Sequence, residues 1–367
     1  MKRKIFLVLT IIASFIGYLR QIQINEQVQR LQFAPEVTTP GDVLKDGKLV
    51  VNGFARRDIR KFDSSQISLL NRLFRFKQWD YFHLTTSQVY IAVAFVDLGY
   101  VQSIQFTFYS VKDNYFIHKD KVVYPFQSKQ FTLEDDCTLK GNLTRTFKSD
   151  AINVEYKGWL HNGVEMRGIQ INFDGFEASF VMESHQQDDL FILKPFTEEG
   201  DKFFYSRKAY GWHSYGQIKY NQQTHKFTKA NAGMDYGRGI FNYATFWLWV
   251  SGMGFSQDHR IGFNLGAAGD NVKGKETSDE GIFIDNQLYV LSDLEYSFDL
   301  NNLEKIITVR GKDFYLEFVP KTTHLFTEDL LLIDVKFRQL IGVFNGKFKD
   351  IEFSDIVGLV ELNRAKW

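Results

Sequence analysis

Ile104-Gln105-Phe106-Thr107-Phe108 alternates apolar and polar side chains with a period of two. That period puts every second side chain on one face of an extended strand, so the stretch predicts a half-buried β-strand. The same signature returns in Ile169-Gln170-Ile171-Asn172-Phe173 and in Ile333-Asp334-Val335-Lys336-Phe337. Val89 to Val96 is apolar throughout, as expected of a strand covered on both faces. Turn chemistry at Asp285-Asn286 separates Ile282-Phe283-Ile284 from Leu288-Tyr289-Val290, and Gly311-Lys312-Asp313 precedes Phe314-Tyr315-Leu316, so hairpins are expected at both places. Ser64 to Phe74 predicts a short helix, and little else in the chain departs from strand. The expected class is all-β, a sandwich or barrel of many short strands.

Composition agrees. The 367 residues include 36 Phe against 5 Pro, which suits strands with bulky inward rings. Lys plus Arg equals Asp plus Glu at 44 each, so there is none of the basic excess that tracks phosphate, and nucleic acid is not an expected partner. The eight histidines are scattered without metal-site spacing, and Cys137 is the only cysteine. No metal and no cofactor are expected. Gly269-Asp270-Asn271-Val272-Lys273-Gly274-Lys275 fails as a phosphate loop because Glu276 stands where Ser or Thr must ligate magnesium. Gly211-Trp212-His213-Ser214-Tyr215-Gly216 misplaces the first glycine of a nucleophile elbow, and Gly252-Met253-Gly254 lacks the third glycine of a dinucleotide loop.

Met1-Lys2-Arg3-Lys4 precedes an uncharged, mostly apolar run from Ile5 to Leu19, closed by Arg20. This is the pattern of a signal peptide or signal anchor, expected over residues 1–22, with a tether following over 23–60. It places the body in the lumen or outside the cell, membrane-anchored through residues 5–19 or secreted, where the sequon Asn142-Leu143-Thr144 becomes a glycosylation acceptor. Pro195, Thr197, Glu198, Glu199 and Gly200 interrupt the strand pattern, dividing the body into β-halves at 61–198 and 199–367.

One stretch joins charge to rings: Gly233-Met234-Asp235-Tyr236-Gly237-Arg238-Gly239, continuing through Thr245-Phe246-Trp247-Leu248-Trp249. Charged groups among large apolar side chains are either a paired structural lock or the polar end of a ligand pocket. Asp235 and Arg238 are three apart, and a bulged backbone would let them pair. Trp247 and Trp249 would share one strand face. Asp235 and Arg238 are the candidate catalytic residues. Tyr236, Phe246, Trp247, Trp249 and Asn264 are the candidate ligand-binding residues.

Asp235-Tyr236-Gly237-Arg238-Gly239, Thr245-Phe246-Trp247-Leu248-Trp249, Ile261-Gly262-Phe263-Asn264, Arg338-Gln339-Leu340-Ile341-Gly342 and the closing Gly358-Leu359-Val360-Glu361-Leu362-Asn363-Arg364-Ala365-Lys366-Trp367 stand in an order that resembles the domain of unknown function 2804 family. Asn71-Arg72-Leu73 and Lys77-Gln78-Trp79-Asp80-Tyr81 resemble that family's opening. More distantly, Phe204-Tyr205-Ser206 leading to Asp235 is similar to the hydroxyneurosporene synthase, AttH and tocopherol cyclase group. The resemblance implies two lipocalin-like antiparallel barrels with a pocket for a lipid or isoprenoid-like ligand. It also implies an alternative, hydratase or cyclase chemistry on an isoprenoid double bond with Asp235 as proton donor. A third reading is a fully packed luminal domain without a ligand. The chain departs from the family in Ser278-Asp279-Glu280, where a Thr-Glu-Asn word is expected, so no role tied to that triplet carries over.

Overall fold

The computed structural model describes residues 14, 16–28, 34–124, 127–184, 188–268, 272, 279–330 and 332–367. Five short strands come first: β1 (Gly41–Asp42), β2 (Leu44–Lys45), β3 (Lys48–Leu49), β4 (Gly53–Ala55) and β5 (Arg60–Lys61). Helix α1 (Leu69–Phe74) follows, with the Ser68 hydroxyl accepting from Asn71 N as its cap. Then come β6 (Phe76–Thr85), β7 (Val89–Asp97), β8 (Gln102–Ser110), β9 (Tyr115–Val123), β10 (Leu143–Lys148), β11 (Asn153–His161), β12 (Val164–Phe173), β13 (Phe176–Ser184), β14 (Leu190–Pro195), β15 (Phe203–Tyr220) and β16 (Gln223–Ile240). The remaining strands are β17 (Ala244–Ser256), β18 (His259–Ala268), β19 (Gly281–Ile284), β20 (Gln287–Val290), β21 (Glu295–Ser297), β22 (Ile307–Gly311), β23 (Phe314–Asp329), β24 (Asp334–Phe348) and β25 (Ile351–Lys366).

Two curled half-barrel antiparallel sheets result. The first runs β10-β11-β12-β13-β15-β16-β6-β7-β8-β9, with β14 pairing β15 and β4. The second runs β20-β19-β18-β17-β25-β24-β23-β22-β21. Ile104–Phe108 lies in β8 and Ile169–Phe173 in β12, whereas Ile333 precedes β24 and Val335 and Phe337 are only partly buried in it; Val89–Val96 lies in β7, buried along nearly its whole length. The hairpin turns stand where expected, with Asp285 and Asn286 both at positive φ, as a two-residue turn demands.

The chain changes sheets at residues 241–243. The division expected near residue 198 falls inside the first sheet: β14 and β15 are hairpin partners, and β16 closes onto β6. The Pro195–Gly200 interruption is therefore a turn within that sheet. The segment expected as a tether lies against the body. β4 joins the first sheet through β14, and Ile24 and Val28 pack on the second core. The expected anchor run, residues 5–19, lies mostly outside the described residues, of which 16–21 are helical. Among the described residues no helix is long and apolar enough to cross a membrane.

Each sheet encloses its own apolar core. Phe82, Phe95, Phe106, Phe108, Tyr156, Trp212 and their neighbours fill the first, and Phe246, Leu248, Val250, Phe263, Phe318 and Phe344 fill the second. The outer faces of the two sheets meet each other. Tyr81, Tyr90, Ala92, Ala94 and Tyr109 of the first pack on Trp249, Ile341, Val357 and Leu359 of the second. Asp235, Lys208 and Trp249 collect at this seam, while Arg238 and Arg145 pair with Asp80 in the interior of the first sheet.

The seam face of β16 is made of glycines for a steric reason. Trp79 lies opposite Gly237, and a Cβ on Gly237 would stand 2.2 Å from the indole. Gly237→Ala should cost about 1–3 kcal/mol by overpacking. Gly141→Ala, with nothing within 4 Å, should stay within about 0.5 kcal/mol. Urea denaturation of the two variants checks the contrast, and equal midpoints would refute it.

Candidate functional site

Strand period sorts the central stretch onto two faces. Met234, Tyr236, Arg238 and Ile240 point into the first core or its polar lining, while Gly233, Asp235, Gly237 and Gly239 face the seam. Between Gly233 and Gly239 the Asp235 carboxylate is the one functional group on this face, and the buried Asn231 amide lies beyond Gly233 on the same face. Register then supplies its partner: Lys208 of β15 lies directly opposite Asp235, and Tyr81 of β6 lies opposite on the other side.

Lys208 Nζ stands 2.7 Å from Asp235 Oδ2, with both side chains buried. Ser206 Oγ donates to Asp235 Oδ1 at 3.3 Å. The ammonium lies 5.0 Å from the Trp249 ring and 5.5 Å from Phe204, so an indole of the second sheet covers a charge of the first. Trp249 Nε1 donates to Asn264 Oδ1 at 2.8 Å, and Asn264 Nδ2 donates to Asp279 O. Tyr210 OH lies 2.7 Å from Ser251 Oγ, and Tyr81 OH lies 2.6 Å from Tyr90 OH.

Glu361 of β25 sits opposite Trp249 in the register. Its carboxylate accepts from Trp247 Nε1 at 3.0 Å, Gln339 Nε2 at 2.9 Å and Asn363 Nδ2 at 3.0 Å. Burial raises its pKa above the usual glutamate range. The Trp247 and Gln339 bonds oppose the rise, and the charge of Asp235 adds to it. His83, on the seam face of β6, is almost wholly buried. Burial, and then the Lys208 charge, push its pKa down to about 3, and its Nε2 finds no hydrogen-bond partner among the described residues. Burial also raises the hydroxyls of Tyr81, Tyr90 and Tyr210, so the seam holds its phenols protonated.

Asp235, Trp247, Trp249 and Asn264 thus come together as expected, and the two indoles share a face. The Asp235–Arg238 pair does not form. The backbone between them is regular strand, so a separation of three puts them on opposite faces. Arg238 Nη2 donates to Asp80 Oδ1 at 3.0 Å and to Glu134 O at 2.7 Å, and its guanidinium lies 3.8 Å from the Tyr236 ring centre. Asp80 takes Arg145 on its other oxygen at 2.6 Å. Tyr236 turns into the same interior and donates to Asp135 O. Phe246 belongs to the second core, away from the seam. Asn142 is exposed just ahead of β10.

Lys208, Glu361, His83, Tyr81 and Tyr210 were missed from sequence. The signal available for Lys208 was period: Phe204, Ser206, Lys208 and Tyr210 form the seam face of a strand whose other face, Phe203, Tyr205 and Ala209, is core. Next to the seam, Lys194 Nζ reaches Asp279 at 3.3 Å. Burial pushes the neighbouring Glu280 carboxyl up to about 8 despite the hydroxyl that Tyr296 donates to it at 2.7 Å. Ser278 of that word lies outside the described residues.

Clefts that open at the surface among the described residues include two that Asp235 does not line. One, of about 580 Å³, is lined by Arg56, Asp188, Tyr289, Phe348 and Lys349 among others. The other, of about 410 Å³, lies around Lys229, Phe255 and Arg260. Among the described residues no group of three or more His, Cys, Asp or Glu could hold a metal ion.

The model of the family described as "Domain of unknown function (DUF2804)" matches residues 34–367. No curated protein matches the chain. Among solved structures, CghA with Sch210972 aligns at a TM-score of 0.51 and 10% identity over 92% of this chain and 97% of the other, which shows a shared fold. A protein assigned as AttH from Nitrosomonas europaea aligns at 0.49 and 8% identity over 80% and 93% of the two chains. Kievitone hydratase from Nectria haematococca aligns at 0.46 and 11% identity over 80% and 89%.

Proposed function

The chain belongs to the domain of unknown function 2804 family, and from that footing we propose that it binds an apolar, lipid or isoprenoid-like molecule at the seam between two lipocalin-like halves. The halves divide at residues 241–243. Lys208, Asp235 and His83 meet a hydroxyl or carbonyl on the ligand, and Trp247, Trp249 and Tyr81 flank its apolar body. The observation that carries this reading is the Lys208–Asp235 pair, buried beneath Trp249. A buried ion pair adds little net stability over apolar packing of the same volume, so its presence at a contact between sheets calls for a use. His83 Nε2 points the same way, since an orphaned buried nitrogen costs about 1–3 kcal/mol. Aromatic side chains fill the seam here, so binding requires them to part. The N-terminal run as signal or anchor, and Asn142 as glycan acceptor, belong to the same proposal.

Organic extraction of the purified chain followed by mass spectrometry should yield a co-purifying apolar molecule, lost in Trp249→Ala. Resupplying it at a hundredfold its Kd should stabilise the fold by about 2.7 kcal/mol. Recovery of no apolar molecule, with no thermal shift from added isoprenoid alcohols or fatty acids, would leave the packed, ligand-free domain as the reading.

Glu361 favours a second reading, proton transfer to a carbon–carbon double bond. Its carboxyl is driven toward the protonated form by burial, whereas Asp235 Oδ2 lies 2.7 Å from the Lys208 ammonium. On this reading Glu361 replaces Asp235 as the acid, and Glu361→Gln loses turnover while keeping the ligand.

A further inference from the structure

The end of the molecule where the chain changes sheets carries apolar side chains that the fold leaves uncovered. In α1, Leu69, Leu70, Leu73 and Phe74 are 44–71% exposed, and no residue of the helix is buried. A surface helix ordinarily turns its leucines inward. The connection between β23 and β24 reads Leu330-Leu331-Leu332-Ile333 in sequence, where a turn ordinarily takes Gly, Asn, Asp or Pro. Leu330 and Leu332 are 54% and 39% exposed.

Hydrogen bonds bring these features to one end. Arg75, just after α1, donates to Phe241 O at 2.5 Å and to Trp367 O at 2.6 Å. Trp367 N donates to Tyr243 O at 3.0 Å, and Tyr243 OH donates to Leu332 O at 2.7 Å. The chain that follows the apolar run Ile5–Leu19 is fastened at this end too. Arg20 pairs with Asp329 at 2.9 Å, and its carbonyl accepts from Lys366 Nζ at 2.8 Å.

We propose that this end docks on a lipid bilayer, with the leucines of α1 and the Leu330 and Leu332 side chains entering the acyl boundary. Exposed apolar side chains gathered at one end of a molecule mark an interaction site. Three observations choose lipid over a second copy of the chain. An apolar run of membrane character leads into the fastened Arg20. Arg72 is an exposed cation among the leucines of α1, suited to lipid phosphates. Tyr18, Tyr243 and Trp367 stand at the same end, residue types that settle at the headgroup level. The inference stands whether or not the seam holds a ligand.

Full-length chain carrying a bimane on Leu70→Cys or Leu330→Cys, bound to phosphatidylcholine–phosphatidylserine vesicles, tests it; the native Cys137 is buried. Bromine atoms on the acyl chains should quench both labels at least twofold. A label at Asp258→Cys, exposed in the turn at the far end of β17, should be unaffected. Unquenched labels at both sites on vesicle-bound chain would overturn the proposal, because the N-terminal run alone would then hold the protein. Failure of the chain to bind vesicles would overturn it as well. So would lipid-free dimers that shield both labels, since a second copy would then cover this face.

Discussion

Lys208→Met should destabilise the protein by about 3–5 kcal/mol, because it leaves Asp235 buried against glycines and rings with no counter-charge. Among the described residues Ser206 Oγ at 3.3 Å is the one other donor to that carboxylate, and a hydroxyl cannot replace an ammonium at 2.7 Å. Adding Asp235→Leu should return most of the loss. A methionine and a leucine of similar volume can pack beneath Trp249 without a desolvated charge. On the proposed reading, the double variant should therefore fold and yet yield no apolar molecule on extraction, which separates the pair's cost to the fold from a role in binding. Urea unfolding of the two single variants and the double completes the cycle. A single Lys208→Met loss under about 1 kcal/mol would mean that the pair is not held out of water.

Raising the pH should weaken the fold through Glu280. The carboxyl titrates near 8 in the folded protein and in the ordinary range near 4.5 when unfolded, so between those values the folded state holds a proton that the unfolded state has released. Stability contributed by the neutral form is complete below about 4.5 and falls away as pH rises toward 8. The full shift corresponds to a loss on the order of 5 kcal/mol. Glu280→Gln keeps the shape and removes the titration. Its unfolding free energy should change less than the native value between pH 5 and pH 8.5, with the gap closing at pH 5. Parallel pH profiles for the two proteins would refute this. His83 acts at the other end of the scale. Its pKa is lowered to about 3, so stability is full above about 6.5 and is lost as pH falls toward 3. The two windows overlap between about 4.5 and about 6.5, where the opposing slopes cancel and the two groups together leave a plateau of stability.

Strand identity was legible because alternation is a local property. Ile104–Phe108 and Ile169–Phe173 needed only their own side chains to declare a buried face, and Asp285-Asn286 needed only its turn chemistry. Partnership was not local. Lys208 faces Asp235 because β15 and β16 form a hairpin in one register, and a slip of one residue would have faced Asp235 with a different side chain. Tyr81 faces Asp235 across roughly 150 residues of sequence, and Glu361 meets Trp249 across about 110. The Asp235–Arg238 expectation failed on the rule that identified the strands, since an odd separation in a regular strand divides two side chains between faces. The Trp247–Trp249 expectation succeeded on the same rule. Glu361 was visible as part of a recurring word, but nothing in that word marks it as buried beside an indole.

The pairing order has a consequence for how the molecule comes to exist on a ribosome. The first sheet gains its closing contact only when β16 reaches β6, and the second is centred on β25, the last strand in the sequence, which lies between β17 and β24. Until that strand emerges, β17 and β24 present unpaired edges, and the outer face that will carry Glu361 does not exist. Such long-range closure makes for slow acquisition of structure and a long interval of exposure to wrong partners. The seam, which needs β25 in place, is therefore among the last parts of the molecule to acquire its shape.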